Sequence, residues 1–231
     1  MNPTEKTARL AGLLYLIWII TGFYGIFYIS PKFIVLGDAA ATAQNMLSNE
    51  FLFRTGIIND IISSTLWVFL VLALYRLFKN VNEREAKLMY ALVLVQIPAV
   101  FFMEALNITS LMIFKGEILK TFEPGQRQDL AMLFLNINDC GSFTLETFWG
   151  LWLLPFGRLV YKSGFIPRIL GIYLIINGIA YILMSIIFLL LPNYRTVFQP
   201  FSYPLLFGEV AIMLWLLIKG VKSNIHTNVY K

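Results

Sequence analysis

The amino-acid sequence predicts an all-α protein, a polytopic transmembrane bundle of about six helices with both termini in the cytoplasm. Three observations carry that expectation. Apolar residues make up 58% of the chain and charged residues 13%, about half the roughly 25% charge of a soluble domain, so too little polar side chain is present to cover a water-soluble fold. Apolar stretches of about twenty residues recur along the sequence, the length that crosses a hydrocarbon layer of about 30 Å. Lys and Arg fall in the short segments between those stretches rather than along one surface, which is a topology signal and not a nucleic-acid footprint.

The elements follow in order. Lys6 and Arg9 precede an apolar run, Leu10 to Ile29, that is too long for a signal-peptide core and has no small-residue cleavage site, so it reads as a retained first span. In the loop from Ser30 to Phe53, Asp38 followed by Ala-Ala-Ala-Thr-Ala-Gln-Asn predicts an N-capped surface helix. The second span is Gly56 to Phe78. Asn82-Glu-Arg-Glu85 resembles a capping box ahead of the third, Leu88 to Ile113, which Pro98 should kink. Glu123-Pro-Gly lets the fourth, Leu130 to Phe156, begin before the bilayer, and Pro155 should bend its far end. Pro167 reads as a first-turn proline opening the fifth span, Ile169 to Leu191, and Tyr203 to Val221 forms the sixth. Residues 1–231 make one membrane domain, without a convincing repeat of its two halves.

Orientation follows from the loop charges. With the N-terminus inside, twelve basic residues are cytoplasmic (Lys6, Arg9, Arg76, Lys79, Arg84, Lys87, Arg158, Lys162, Arg168, Lys219, Lys222 and Lys231) and six are outside (Lys32, Arg54, Lys115, Lys120, Arg127 and Arg195). The bilayer is the one partner implied outright; no nucleic acid is.

Several chemistries are excluded by residue supply. A single cysteine, Cys140, and a single histidine, His226 in the polar tail, cannot build a disulfide framework, a zinc-thiolate site, haem ligation or a Ser-His or Cys-His pair within the membrane. P-loop, dinucleotide-binding and HExxH patterns are absent. No catalytic residue and no cofactor is expected.

Five carboxylates fall inside the spans: Asp60, Glu104, Asp139, Glu146 and Glu209. Each costs roughly 2.5 to 3.5 kcal/mol near the bilayer centre, so their presence requires a reason. Helical periodicity supplies part of it. Asn136, Asp139, Cys140, Glu146 and Thr147 share one face of the fourth span; Gln96, Glu104 and Asn107 share an arc of the third; Asp60, Ser63, Ser64 and Trp67 share a side of the second. Tyr173, Asn177 and Tyr181 line the fifth, and Glu209 enters from the sixth. These stripes predict a shared polar interior opening outward, with Asp60, Asp139 and Glu209 toward the outer side and Glu146 nearest mid-depth. No Lys or Arg lies deep in the spans; Arg54 at the outer lip is the nearest counter-charge. Cys140 and Asn138 read as packing residues.

The segment Leu159-Val-Tyr-Lys-Ser-Gly-Phe-Ile-Pro-Arg-Ile-Leu-Gly-Ile-Tyr173, with Asn177-Gly-Ile-Ala-Tyr181, Thr7-Ala-Arg-Leu-Ala-Gly-Leu-Leu-Tyr-Leu16 and Leu74-Tyr-Arg-Leu-Phe-Lys79, resembles the DUF4386 family of bacterial multi-spanning membrane proteins. The resemblance implies a six-helix fold in a bacterial cytoplasmic membrane and transfers no catalytic residue.

Three functions follow. The first is binding or transport of a small polar or cationic solute, with Glu104, Asp139, Glu146, Asp60, Asn107, Asn136 and Glu209 as the ligand- or proton-binding set. The second is a non-catalytic sensor or partner subunit whose acids hold helices together. The third is a lipid-modifying enzyme with a carboxylate-bound Mg²⁺ or Mn²⁺.

Overall fold

A computed structural model of the chain describes residues 3–35, 37–198, 200, 204 and 206–221. Among these residues no strand occurs, and the apolar runs of the sequence become helices. In order they are α1 (Pro3–Phe23), continued by a π-helical turn (Tyr24–Ile29); α2 (Ala39–Ser48); α3 (Glu50–Phe78); α4 (Glu83–Leu94); α5 (Ile97–Phe114); α6 (Pro124–Ser163); α7 (Arg168–Leu190); a short α8 (Arg195–Phe198); and α9 (Leu206–Leu214), ending in a second π-helical turn, Trp215–Lys219. The expected start of the sixth span at Tyr203, and Lys222, His226 and Lys231 of the tail, lie outside the described residues.

Four helical stretches are long and apolar enough to cross a membrane: Pro3–Lys32, Glu50–Phe78, Glu83–Phe114 and Arg168–Leu190. They match the first, second, third and fifth expected spans. The fourth coincides with α6, 40 residues long and thus about 60 Å at 1.5 Å per residue, but Asn136, Asn138, Asp139 and Glu146 dilute its apolar character. The described part of the sixth is short.

The surface of α7 shows what surrounds it. Apart from Arg168 its exposed positions are Ile169, Ile172, Ile176, Ile179, Leu183, Ile186, Leu189 and Leu190, whereas Gly171, Asn177, Gly178, Tyr181 and Ser185 are buried together with Leu174, Met184 and Phe188. Water would reverse that distribution; lipid requires it, because tails are as apolar as leucine and helices associate through small and polar residues.

Caps and punctuation are as the residues dictate. The Asp38 carboxylate accepts from the Ala41 amide at 2.8 Å, opening α2, and Asn82 accepts from Glu85 at 3.1 Å, opening α4. α6 begins at Pro124, as expected. Gly116, with φ of +69°, closes α5, its own amide donating back to the Ile113 carbonyl and that of Glu117 to the Met112 carbonyl, the left-handed termination that glycine permits. One detail differs. Pro167 is the residue before the first turn of α7 rather than within it, since its ψ of 129° is extended and only Arg168 enters helical geometry.

The described residues divide into two compact units whose boundaries fall inside α1, α3 and α6 and between α4 and α5: one comprises residues 3–19, 66–96 and the described residues from 143 to 221, the other the described residues of 20–65 and 97–142. The first is organised by the α6–α7 hairpin. A methyl group added at Gly157 would stand 2.6 Å from the Gly171 carbonyl oxygen, one at Gly171 would stand 2.6 Å from that of Gly157, and Gly150 and Gly178 face each other in the same way. The heptad-spaced glycines thus let the two antiparallel backbones touch. One heptad further, Ser185 donates to the Phe143 carbonyl at 2.6 Å, and Thr147 meets the Ser185 hydroxyl at 2.8 Å. The turn pivots on Gly164 at φ +72°. Beside it, rings of Trp18, Trp67, Trp152, Phe156 and Phe78 follow one another at 5.1, 5.8, 5.4 and 5.8 Å. The second unit packs Ile29, Phe33, Met46, Phe53, Leu111, Phe114 and Leu135 into an apolar core.

Candidate functional site

Three of the five acids expected within the spans, Asp60, Glu104 and Asp139, belong to the second unit. Glu104 on α5 is buried. It sits on the turn below Asn107, whose amide donates to Glu104 Oε2 at 3.0 Å. Asn138 on α6 ties this pair across the helices: its Nδ2 donates to Asn107 Oδ1 and to the Met103 carbonyl, each at 3.0 Å. The chain Glu104–Asn107–Asn138 is therefore a directed relay in which each amide group fixes the rotamer of the next, and Asp139 follows directly along α6. Asp60 on α3 is half-buried. Its Oδ1 accepts from Asn59 Nδ2 at 2.9 Å, and the same nitrogen donates to the Thr21 carbonyl at 3.0 Å.

Glu146 and Glu209 belong to the first unit. Glu209, in the first turn of α9, is buried, and Tyr15 of α1 donates to its Oε2 at 2.7 Å. Asn177 of α7 packs against Gly208, occupying the volume that a side chain there would need.

The predicted site residues are thus not equally placed. Glu104 and Glu209 are buried, Asp60, Asn107, Asp139 and Glu146 are half-buried, and Asn136, like Cys140, is exposed. The polar stripe expected along the fourth span therefore turns partly outward at Asn136 and Cys140, because α6 buries Ala131 and Leu135 instead. Gln96 likewise drops out of the arc expected with Glu104 and Asn107. The helix breaks at Val95 and Gln96 ahead of Pro98, and the Gln96 amide folds back onto the Leu92 carbonyl at 2.7 Å, so the rotational phase of α4 is not carried into α5.

The ion pairs among the described residues lie near helix ends: Glu5 with Arg9 at 3.3 Å, Glu50 with Arg54 at 2.8 Å and with Lys115 at 3.1 Å, Glu83 with Lys87 at 3.0 Å, Lys115 with Glu117 at 2.7 Å, and Glu85 with Arg158 at 3.1 Å. None of them includes Asp60, Glu104 or Glu209. Arg54, the expected counter-charge, is committed to Glu50. Among the described residues, no three Asp, Glu, His or Cys side chains are grouped as metal ligands.

Sequence reasoning missed Asn138, read as packing, and overlooked Tyr15 and Asn59. Asn138 had a signal: with Asn136 and Asp139 it forms a polar run in an otherwise apolar span. Tyr15 had none, being one of many aromatics, and only the approach of α9 gives it a carboxylate.

Exposed aliphatic helix faces, with small and polar residues buried between the helices, define a helical membrane protein. Residues 10–220 match a family described as a domain of unknown function, DUF4386, and the chain belongs to that family. It is also similar to an uncharacterised protein of the archaeon Archaeoglobus fulgidus, 35% identical over 91 residues, 39% of this chain and 51% of that one; the chain thus spans about half the length of the curated relative it matches. No solved structure matches the chain.

Proposed function

We propose that this protein is a multi-pass component of a cytoplasmic membrane that binds or transports a small polar or cationic solute, with Glu104 as the principal recognition group. The single observation that supports the reading is the state of Glu104. It is a buried carboxylate that accepts from the amide of Asn107 and takes part in none of the ion pairs found among the described residues. An anionic group of that kind in lipid calls for a proton or a cationic ligand. Asn107 and Asn138 would present it in one orientation, and Asp139 would extend the acidic surface. In this reading residues 1–231 act as one domain of six crossings, with both termini on the cytoplasmic side and the solute entering from the other, in keeping with the twelve-to-six distribution of Lys and Arg.

A thermal-shift screen of the detergent-solubilised protein against small amines, amino acids and sugars tests it. The expected result is a solute that raises the melting temperature of the native protein and has little effect on Glu104→Gln. Equal responses of the two proteins across the panel would overturn the reading.

A second reading has its own observation. Glu104 and Glu209 each take a hydrogen bond from a neighbour, Asn107 and Tyr15, which suits acids that hold helices together in a sensor or partner subunit. Stability separates the two: neutralising structural acids lowers it, whereas relieving functional ones raises it.

A further inference from the structure

A helix bathed in lipid exposes aliphatic side chains, as α7 does, and α6 departs from that rule. From residue 129 to residue 140 its exposed positions are Asp129, Leu133, Asn136, Ile137 and Cys140. Over the same stretch Ala131 and Leu135 are buried, and Asn138 is bonded to Met103 and Asn107 of α5. At 3.6 residues per turn the buried set and the exposed stripe lie on opposite sides of the helix, so the stripe points away from α5.

Two hydrogen bonds fix the level of that stripe. Ser110 of α5 donates to the Ala131 carbonyl at 2.7 Å, and Asn138 donates to the Met103 carbonyl at 3.0 Å, so Asn136 stands beside residues 103–110 of α5. That segment lies inside the stretch Glu83–Phe114, which is long and apolar enough to cross a bilayer. The exposed residues of α5 at and just beyond this level, Phe101, Phe102, Ala105 and Ile108, are all apolar, as lipid requires. Asn136 is not. Its amide has no hydrogen-bond partner among the described residues, and hydrocarbon offers none.

We infer that this face of α6 is covered by the same face of a second copy of the chain, in a parallel dimer whose two-fold axis runs along the membrane normal. The chemistry selects that occupant. A carboxamide carries both donors and an acceptor, so two Asn136 side chains meeting across a two-fold axis satisfy each other, as a self-complementary interface demands. The stripe also repeats every seven residues, pairing Asp129 with Asn136 and Leu133 with Cys140. That is the spacing at which like helices pack a parallel seam, and one Asn within such a seam fixes its register. Asp129, the charged member, sits at the end nearest the loop before α6, where water and salt screen it from its copy. The inference assigns Asn136 to an interface and not to the solute-binding set, and it stands whether or not a solute binds at Glu104.

The chain's single cysteine, Cys140, lies in the stripe, so the native protein carries its own reporter. The test uses the full chain in phospholipid vesicles over a range of lipid dilutions. Copies are counted by single-molecule photobleaching of a label that does not use cysteine, and contacts are trapped with a short bismaleimide. The expected result is a dimer that dissociates on dilution and a cross-linked species of twice the chain mass that is lost in Cys140→Ser. Leu133→Cys in the Cys140→Ser background should restore the species, whereas Ile176→Cys, on the aliphatic face of α7, should not. Asn136→Leu keeps Cys140 and suits lipid, and should weaken dimerisation by roughly tenfold with no loss of melting temperature. Should that variant fail to fold, the comparison of Leu133→Cys with Ile176→Cys carries the test alone. Single-step bleaching at every dilution, equal cross-linking from the two introduced cysteines, or dimerisation undiminished in a folded Asn136→Leu overturns the interface. A cross-link in native membranes to a chain of another mass, with monomers in vesicles, gives the face to a different protein and overturns it equally.

Discussion

The Tyr15 hydroxyl donates to buried Glu209 at 2.7 Å, and removing either group leaves the other without that hydrogen-bond partner. Tyr15→Phe is therefore expected to destabilise by about 1–3 kcal/mol, read as a lowered melting temperature in detergent. Replacing both groups removes the orphan, so Tyr15→Phe with Glu209→Leu should be less destabilised than Tyr15→Phe alone. A double variant worse than the sum of its single changes would argue that Glu209 does more than hold α9 to α1. At this scale the sequence was legible in part. It announced that Glu104 and Glu209 need a reason to be in lipid, because charge there is costly wherever it sits. It said nothing of Tyr15 or Asn59, because a hydrogen-bond partner is chosen by which helix comes alongside.

Helices α6 and α7 are joined by contact of their backbones, and the consequence for substitution is sharp. Gly157→Ala places a methyl group 2.6 Å from the Gly171 carbonyl, so the pair must separate, at a cost of about 1–3 kcal/mol. Gly22→Ala in α1, where nothing lies within 4 Å, should be tolerated or mildly stabilising, since alanine is the better helix former. Melting temperatures of the two variants compare them directly, and equal losses would mean that the glycines serve only flexibility. In α2, Asp38→Ala removes the 2.8 Å cap to Ala41 and should cost about 0.5–2 kcal/mol; protease sensitivity within residues 39–48 would report it. The caps at Asp38 and Asn82 and the start at Pro124 could be read in advance, because they follow from a few adjacent residues. The break at Val95–Gln96 was foreseen only as a kink at Pro98, and its effect on the phase of Gln96 was not, because periodicity arguments assume a continuous helix.

For the molecule as a whole, one charge cluster outside the spans has a definite pH signature. Lys115 is held above the ordinary lysine range by Glu117 and then by Glu50, with its partners at 2.7 and 3.1 Å. A group whose folded pKa is raised adds stability that is fully present below the unfolded value and is lost as pH rises through the folded one. The native protein should therefore be more stable than Lys115→Met at neutral pH, and the two melting curves should converge as pH rises past the lysine range. Divergence there would contradict the assignment. The effect is small, as these groups are solvent-exposed.

By itself the sequence determined that this protein is helical and lives in lipid, because both follow from composition and from apolar length, which do not depend on what touches what. It also determined which acids require an explanation. Only the tertiary structure decided that Glu104 is bound through Asn107 to Asn138, that Asn136 faces outward, that Asn59 ties Asp60 to the Thr21 carbonyl, and that four glycines bring α6 and α7 together. Those are facts of approach between segments far apart in the chain, and a one-dimensional pattern fixes each helix's own faces without fixing which neighbour each face will meet.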